Sequence, residues 1–452
     1  MKKNIISAII SLVFVLCVSL GVTFLLTDKP GDKVFSDGRC LNSRVSEDMS
    51  RIDIARIYSE ACVTVYCQTK PLAGAGWVSM GSGVCVASKG YETSDGQTVI
   101  KGSYFVTNYH VISTAVDPFY SNCTTSLYVE LEGSSLAHKA SLLWSDKNLD
   151  VAILYASNES LNSTLGWIEM KDRVVACADK DRLNYDEIFV IGTPLASQYK
   201  NTLTLGNVSN NNFHLQEITA TDLYVYKLGD EDKFTTEESF VPSGKYDKYT
   251  VVDNVYENAI MMNVDITNGN SGGGVFDSFG NLIGLATLGK DNNASMNFFV
   301  PVYPITKVLD KVIVGNEKGA EVSIISVDSL GLKVLDKAEA KEYGTTYNSG
   351  VKEDFVIKYN NEYCYYMNGE FYPRLTYSSA FKFDGDGVYV IQNNGDYTSI
   401  NQGYVITGLQ KNGEGLTRIS NRNDLIYFLL GCDKGQIVNV HAENAPVFTI
   451  TL

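Results

Sequence analysis

Ser271 lies in Gly269-Asn270-Ser271-Gly272-Gly273, a pentapeptide able to present a nucleophile. A serine hydroxyl attacks a carbonyl poorly at neutral pH unless a base takes its proton and nearby donors receive the developing charge. Glycines on both sides permit a tight turn that aims successive N–H groups into one pocket, so Gly269 and Ser271 are the candidate oxyanion donors. Alone, the segment is as readily an ordinary Gly/Ser/Asn turn. His110, in Phe105-Val106-Thr107-Asn108-Tyr109-His110-Val111-Ile112, is the candidate general base, because an imidazole titrates near neutral pH. Asp150 opens the apolar run Asp150-Val151-Ala152-Ile153-Leu154, where a carboxylate could orient that imidazole and steady its protonated form. Each has a plainer reading in isolation, a structural histidine and a strand-edge acid, and Asp146 is a competing carboxylate further from the apolar strand. The order His110, Asp150, Ser271 is one of the triad orders found on β-barrels, and its chemistry is acyl transfer.

Such residues need strands to hold them. From Cys62 to about residue 300 the pattern is short apolar runs broken by Gly, Asn and Asp, among them Gly83–Ala87, Tyr104–Thr107, Leu127–Leu131, Val151–Tyr155, Ile188–Ile191, Met261–Val264 and Leu282–Ala286. Many short strands so spaced predict a sandwich or barrel rather than a βαβ sheet. Residues 209–258 interrupt the pattern as a surface loop or an extra hairpin. Short helices are expected over Ser50–Ala61 and Pro304–Val314, the second ended by Gly315, where a domain boundary falls. Beyond lies a smaller α+β unit, 320–452, with an insertion at 345–386 and a helix Asn421–Leu430 stopped by Gly431.

Thirty-seven basic against 52 acidic residues give a net charge of −15, which repels a polyanion and argues against nucleic-acid binding. The nine cysteines and four histidines are scattered without zinc spacing, so no metal site is expected and the disulfide state stays open. Lys2 and Lys3 precede an uncharged stretch, Asn4 to Thr27, long enough to cross a bilayer. The expectation is an uncleaved transmembrane helix over 1–27, a linker over 28–50 and the remaining chain outside the cell membrane. A cleaved signal peptide, with Ser19-Leu20-Gly21 near its cut, and a lipidated Cys17 are the alternatives.

Further blocks surround the triad candidates: Gly81-Ser82-Gly83-Val84, Thr107-Asn108-Tyr109-His110-Val111, Leu149-Asp150-Val151-Ala152, Val190-Ile191-Gly192-Thr193-Pro194, Thr204-Leu205-Gly206-Asn207-Val208-Ser209, Asp265 to Gly273, Gly280-Asn281-Leu282-Ile283-Gly284 and Phe298-Phe299-Val300-Pro301. In this order they resemble the HtrA/Deg family, trypsin-like serine proteases with C-terminal PDZ domains. The resemblance implies a mainly β, chymotrypsin-like double antiparallel β-barrel over 51–315, followed by an α+β PDZ-like domain. It implies catalysis by Ser271, His110 and Asp150 in the cleft between barrels, an oxyanion hole at Gly269 and Ser271, and a substrate pocket lined by Leu285, Ala286, Thr287 and Leu288 that favours modest apolar residues. Ser329-Leu330-Gly331-Leu332 resembles a PDZ carboxylate-binding loop, giving Leu330, Gly331 and Leu332 as candidate peptide-binding residues, although Tyr404 stands where that domain usually has an acid. Gly274 stands where the family usually has proline or a small residue, which would loosen the turn after the nucleophile.

The function so implied is that of a membrane-anchored, extracytoplasmic serine endopeptidase for unfolded or misfolded proteins, working in protein quality control as a homotrimer and needing no cofactor. Two other readings stand beside it. One is a non-catalytic, chaperone-like or peptide-binding surface protein on the same scaffold. The other is a sensor whose acidic run Gly229-Asp230-Glu231-Asp232, or Asp384-Gly385-Asp386-Gly387, binds cations.

Overall fold

The computed structural model describes residues 49–452 except 72–74, 93–97, 117–122, 135, 158–174, 176–185, 195–196, 236–237, 239–240, 242–243, 290–296, 321–322, 342–356, 360–361, 368–369, 374–384, 396, 398 and 444. The expected membrane segment, nearly all of the linker and parts of the 345–386 insertion lie outside these residues. No helix among the described residues is long and apolar enough to cross a membrane.

Helix α1 (Arg51–Tyr58) is capped by the Ser50 hydroxyl, which accepts from Asp53 N. It delivers the fully buried Tyr58 onto Phe276 and Phe189, with ring centroids 5.4 and 6.3 Å away. The close approach requires Gly280, at φ +83°, since a Cβ there would run into the Tyr58 ring. Strands β1 (Cys62–Pro71), β2 (Trp77–Glu92), β3 (Thr98–Thr107), β4 (Cys123–Leu131), β5 (Ala137–Asp146) and β6 (Val151–Ser157) close into one barrel in the order β1-β2-β3-β6-β5-β4. Between β3 and β4 lies a one-turn helix, α2 (Tyr109–Ile112).

Seven strands follow: β7 (Glu187–Gly192), β8 (Thr202–Leu228), β9 (Glu231–Thr235), β10 (Tyr246–Met262), β11 (Gly274–Asp277), β12 (Leu282–Gly289) and β13 (Asn297–Pro301). Their order is β10-β13-β12-β11-β7-β8-β9, and a further β8–β10 pairing closes the first six into a second barrel. The fold is therefore mainly β, with two closed six-stranded barrels. Closure leaves few bare edges and buries one face of every strand.

The 209–258 interruption proves to be a hairpin. β8 and β10 pair antiparallel from Tyr226↔Tyr246 down to Ala259↔Phe213, and β9 adds a third strand along Tyr224–Leu228. Two acids of its acidic run are paired within the hairpin, Asp232 with Lys227 at 2.6 Å and Glu231 with Lys233 at 2.7 Å.

Helix α3 (Tyr303–Lys318) runs one turn past Gly315, correcting the expected end. Gly315 is buried inside it, and the terminating residue is Gly319 in the left-handed region at φ +62°. Beyond it, β14 (Leu332–Leu335), β18 (Val388–Asn393), β19 (Val405–Lys411), β21 (Ile437–Glu443) and β22 (Phe448–Thr451) form a third antiparallel sheet in that order, with β20 (Thr417–Arg418) beside β19. Helix α4 (Arg422–Leu430) is capped by Asn421, whose side chain accepts from Asp424 N. Arg422 forms a buried ion pair with Glu339 at 3.0 Å.

Among the described residues, polar and aromatic contacts join this unit to the barrels in two places. Lys311 of α3 donates to the carbonyls of Cys432, at 2.6 Å, and Leu430, both at the C-terminal end of α4, while Tyr303 meets Tyr427 edge-on at 4.8 Å. A cation there complements the negative end of the helix. The second contact joins the hairpin to a meander built from the described parts of the 345–386 insertion, β15 (Ile357–Tyr359), β16 (Glu362–Met367) and β17 (Glu370–Pro373). Tyr359 stacks on Phe371 at 4.3 Å, Phe234 meets both edge-on, and Leu223, Val225 and Tyr249 complete the cluster. Lys333 of β14 donates to Phe371 O at 2.5 Å.

Candidate active site

His110 sits on α2, directly after β3, and Asp150 occupies the turn entering β6. Asp150 has φ +49°, a left-handed conformation that Asp and Asn tolerate better than other side chains. β3 and β6 are hydrogen-bonded neighbours (Thr107↔Ala152), so the two residues leave adjacent strand ends toward each other. The Asp150 carboxylate receives His110 Nδ1 at 2.9 Å on Oδ2 and His110 N at 3.0 Å on Oδ1. It also accepts from Thr287 Oγ1 at 2.7 Å. Asp146, the competing acid, instead accepts from Leu149 N at 3.0 Å within its own turn.

Ser271 comes from the second barrel, in the loop between β10 and β11. Its hydroxyl donates to Thr287 O at 3.1 Å, so the proton points at that carbonyl rather than at the imidazole. Thr287 thus touches Asp150 through its side chain and Ser271 through its backbone. The buried Asn108 joins the barrels again: its Nδ2 donates to Asp150 O at 2.9 Å and its Oδ1 accepts from Gly272 N at 2.6 Å. Gly269 and Gly272 take φ +97° and +81°, and a Cβ on Gly272 would collide with Ser82 O. Among the described residues, the N–H groups of Gly269 and Ser271 have no acceptor. Asn270 Oδ1 is buried against Gly192, also without a partner.

The expected pocket wall takes a different form. Leu285 and Ala286 are fully buried, one in the cluster shared between the barrels and the other inside the second barrel. Strand alternation sends neighbouring side chains to opposite faces, so both are used up by packing. The Thr287 hydroxyl is committed to Asp150, and the Leu288 side chain lies outside the described residues. At Gly274, Val84 and the Phe276 ring fill the space a Cβ would take.

At Ser329–Leu332, Gly331 adopts φ +65°, but most amides of the loop are already engaged within the chain. Ser329 N donates to Ser326 Oγ, Leu330 N to Ser326 O and Val327 O, and Leu332 N to Val327 O, while Leu330 and Leu332 are buried. The described residues contain no group of His, Cys, Asp and Glu that could hold a metal. Asp386 pairs with Lys337, which holds its carboxyl below the ordinary range.

Motif spacing does not reveal the polar residues that join the barrels. Asn108 and Ser82 lay in the quoted blocks, yet their partners are 164 and 187 positions away and are mostly backbone atoms, which leave no side-chain signature.

The chain is similar to several known proteins. Residues 81–285 match the trypsin-like peptidase domain. Protease Do-like 5, chloroplastic, of Arabidopsis thaliana is 28% identical over 229 residues, 49% of this chain and 57% of the relative. Serine protease Do-like HtrA of Lactococcus lactis is 28% identical over 269 residues, 58% of this chain and 50% of the relative. A solved HtrA-type protease with a decapeptide covers 89% of this chain and 96% of its own, at 17% identity and a TM-score of 0.46. The chain spans about half the length of the curated relatives it matches. The chain is thus similar to a trypsin-like peptidase domain and to Do-like HtrA serine proteases.

Proposed function

We propose that the chain is a serine endopeptidase in which Ser271 is the nucleophile, His110 the general base and Asp150 the group that orients the imidazole. The observation that carries the reading is the Asp150 carboxylate, which holds His110 Nδ1 at 2.9 Å while Thr287 links it to the Ser271 hydroxyl. With Nδ1–H donated to Asp150, Nε2 is left as the basic nitrogen. Attack requires the Ser271 hydroxyl to turn from Thr287 O toward Nε2. The proton then passes to the imidazole, and the new oxyanion is received by the N–H groups of Gly269 and Ser271. His110 returns the proton to the leaving amine, and water hydrolyses the acyl-enzyme by the same route.

The finer reading places this activity outside the membrane on an N-terminal anchor, with unfolded proteins as substrates and a homotrimer as the working unit. The C-terminal sheet and α4 would serve as a PDZ-like module. A second reading, a non-catalytic peptide-binding protein, is favoured by the Ser271 proton pointing at Thr287 rather than His110. A serine-reactive phosphonate and a β-casein degradation assay separate the two. The protease labels and cleaves, and Ser271→Ala does neither while keeping its fold. A wild type that stays unlabelled and inert, as monomer or oligomer, refutes the enzyme.

A further inference from the structure

Ser82 lies on β2 in the first barrel and is 1% exposed, yet every polar atom it has is spent on the active-site region. Its Oγ accepts from Thr193 N and donates to Gly269 O, both at 2.8 Å. Its N–H donates to Ser271 O at 2.7 Å, and its carbonyl accepts from Thr107 Oγ1 at 2.7 Å. The two nucleophile-loop carbonyls it holds belong to the same residues whose N–H groups have no acceptor.

That coincidence follows from how peptide planes are connected. The plane joining Gly269 to Asn270 is fixed at both ends, by Ser82 Oγ on its oxygen and Thr267 O on its N–H at 3.0 Å. In the next plane, Asn270 O accepts from Gly273 N at 2.7 Å, leaving Ser271 N–H as the open end. The plane after Ser271 is held by Ser82 N on its oxygen and by Asn108 on Gly272 N. Gly269, at φ +97°, has the conformational freedom to let its planes turn over, and among the described residues only the Ser82 hydroxyl holds its carbonyl.

We propose that Ser82 is a positioning residue of the proposed peptidase: its side chain locks Gly269 so that the Gly269 and Ser271 N–H groups face the developing oxyanion. This rests on the catalytic reading above. Ser82 touches neither substrate nor the reacting atoms, so its effect falls on the transition state and spares ground-state binding.

The test is Ser82→Ala in the full chain, assayed on a chromogenic peptide with its affinity for a peptide boronate measured alongside. Deleting an oxyanion donor outright costs about 10²–10³ in kcat. Loosening one without deleting it is expected to lower kcat about 10- to 100-fold, leave KM within about twofold, and weaken boronate binding in step with kcat. A structural role alone would lower the melting temperature without splitting kcat from KM. If Ser82→Ala fails to fold, Ser82→Cys, which keeps a poorer donor in place, is expected to show the same split to a smaller degree. A variant with unchanged kcat and boronate affinity overturns the assignment, as does one whose KM rises while kcat holds. A wild type that neither cleaves nor takes a phosphonate refutes the catalytic reading instead.

Discussion

Asp150→Asn tests the catalytic reading at the group where geometry is most complete. The carboxylate receives three donors: His110 N on Oδ1, and His110 Nδ1 and Thr287 Oγ1 on Oδ2. An amide keeps one oxygen for the His110 backbone but places an NH2 where Oδ2 was, facing two donors. The Thr287 hydroxyl can turn and accept. The imidazole can comply only by moving its proton to Nε2, which then meets Ser271 as a donor instead of a base. The lost charge-assisted bond and the lost stabilisation of the imidazolium together remove about 4–5.5 kcal/mol of transition-state stabilisation, or 10³–10⁴ in kcat at 1.36 kcal/mol per decade. The fold survives, because Asn is at home at the φ of +49° found at this position, whereas Ala would add strain of its own. The assay is kcat on a chromogenic peptide, with a thermal melt as control and the imidazole tautomer read by 15N NMR. An Asp150→Asn enzyme that keeps more than about a tenth of wild-type kcat would refute the tautomer argument.

Phe371→Ala removes the ring that stacks on Tyr359 and receives Phe234 edge-on. The ring is only partly buried, so the cost is about 2 kcal/mol, below that of a full core Phe→Ala, measured as a lower urea midpoint with earlier proteolysis of the hairpin. Acid acts on the α3–α4 contact. Its hydrogen bond with Lys311 holds the Asp433 carboxyl below the ordinary range, so this pair stabilises the fold above that range and loses its effect as pH falls through the lowered value. The carboxylate is largely exposed, so the effect is small and salt-screened. Lys311→Met should raise the 13C-detected Asp433 midpoint toward the ordinary carboxylate range, and no movement would mean the lysine does not set it.

Strand placement was legible in the sequence because the barrel strands are short apolar runs bounded by Gly, Asn and Asp, a local pattern that needs no tertiary information. Candidate residues were legible by chemical type and order. One error has a plain physical source. Gly315 looked like a helix stop because glycine often is one, but three more residues fit the helix before Gly319 supplies the left-handed cap. Leu285 and Ala286, which the family resemblance implies as pocket lining, are buried by packing between and within the barrels. Ser329–Leu332 has a suitable loop sequence, yet a run of local hydrogen bonds engages its amides, and such bonding depends on dihedral angles rather than composition. The two insertions gave no hint that they meet, since the contact between Phe234 and Phe371 spans 137 positions.

That meeting places a limit on dissection. A truncated protein ending after α3 would keep the hairpin and lose the meander, laying Leu223, Val225, Phe234 and Tyr249 open to water beside the bare edge of β9. An apolar face next to an unpaired strand is a template for self-association. The isolated barrels would be prone to clumping for a reason unrelated to the stability of either one, and trimming the hairpin in the same cut would cure it.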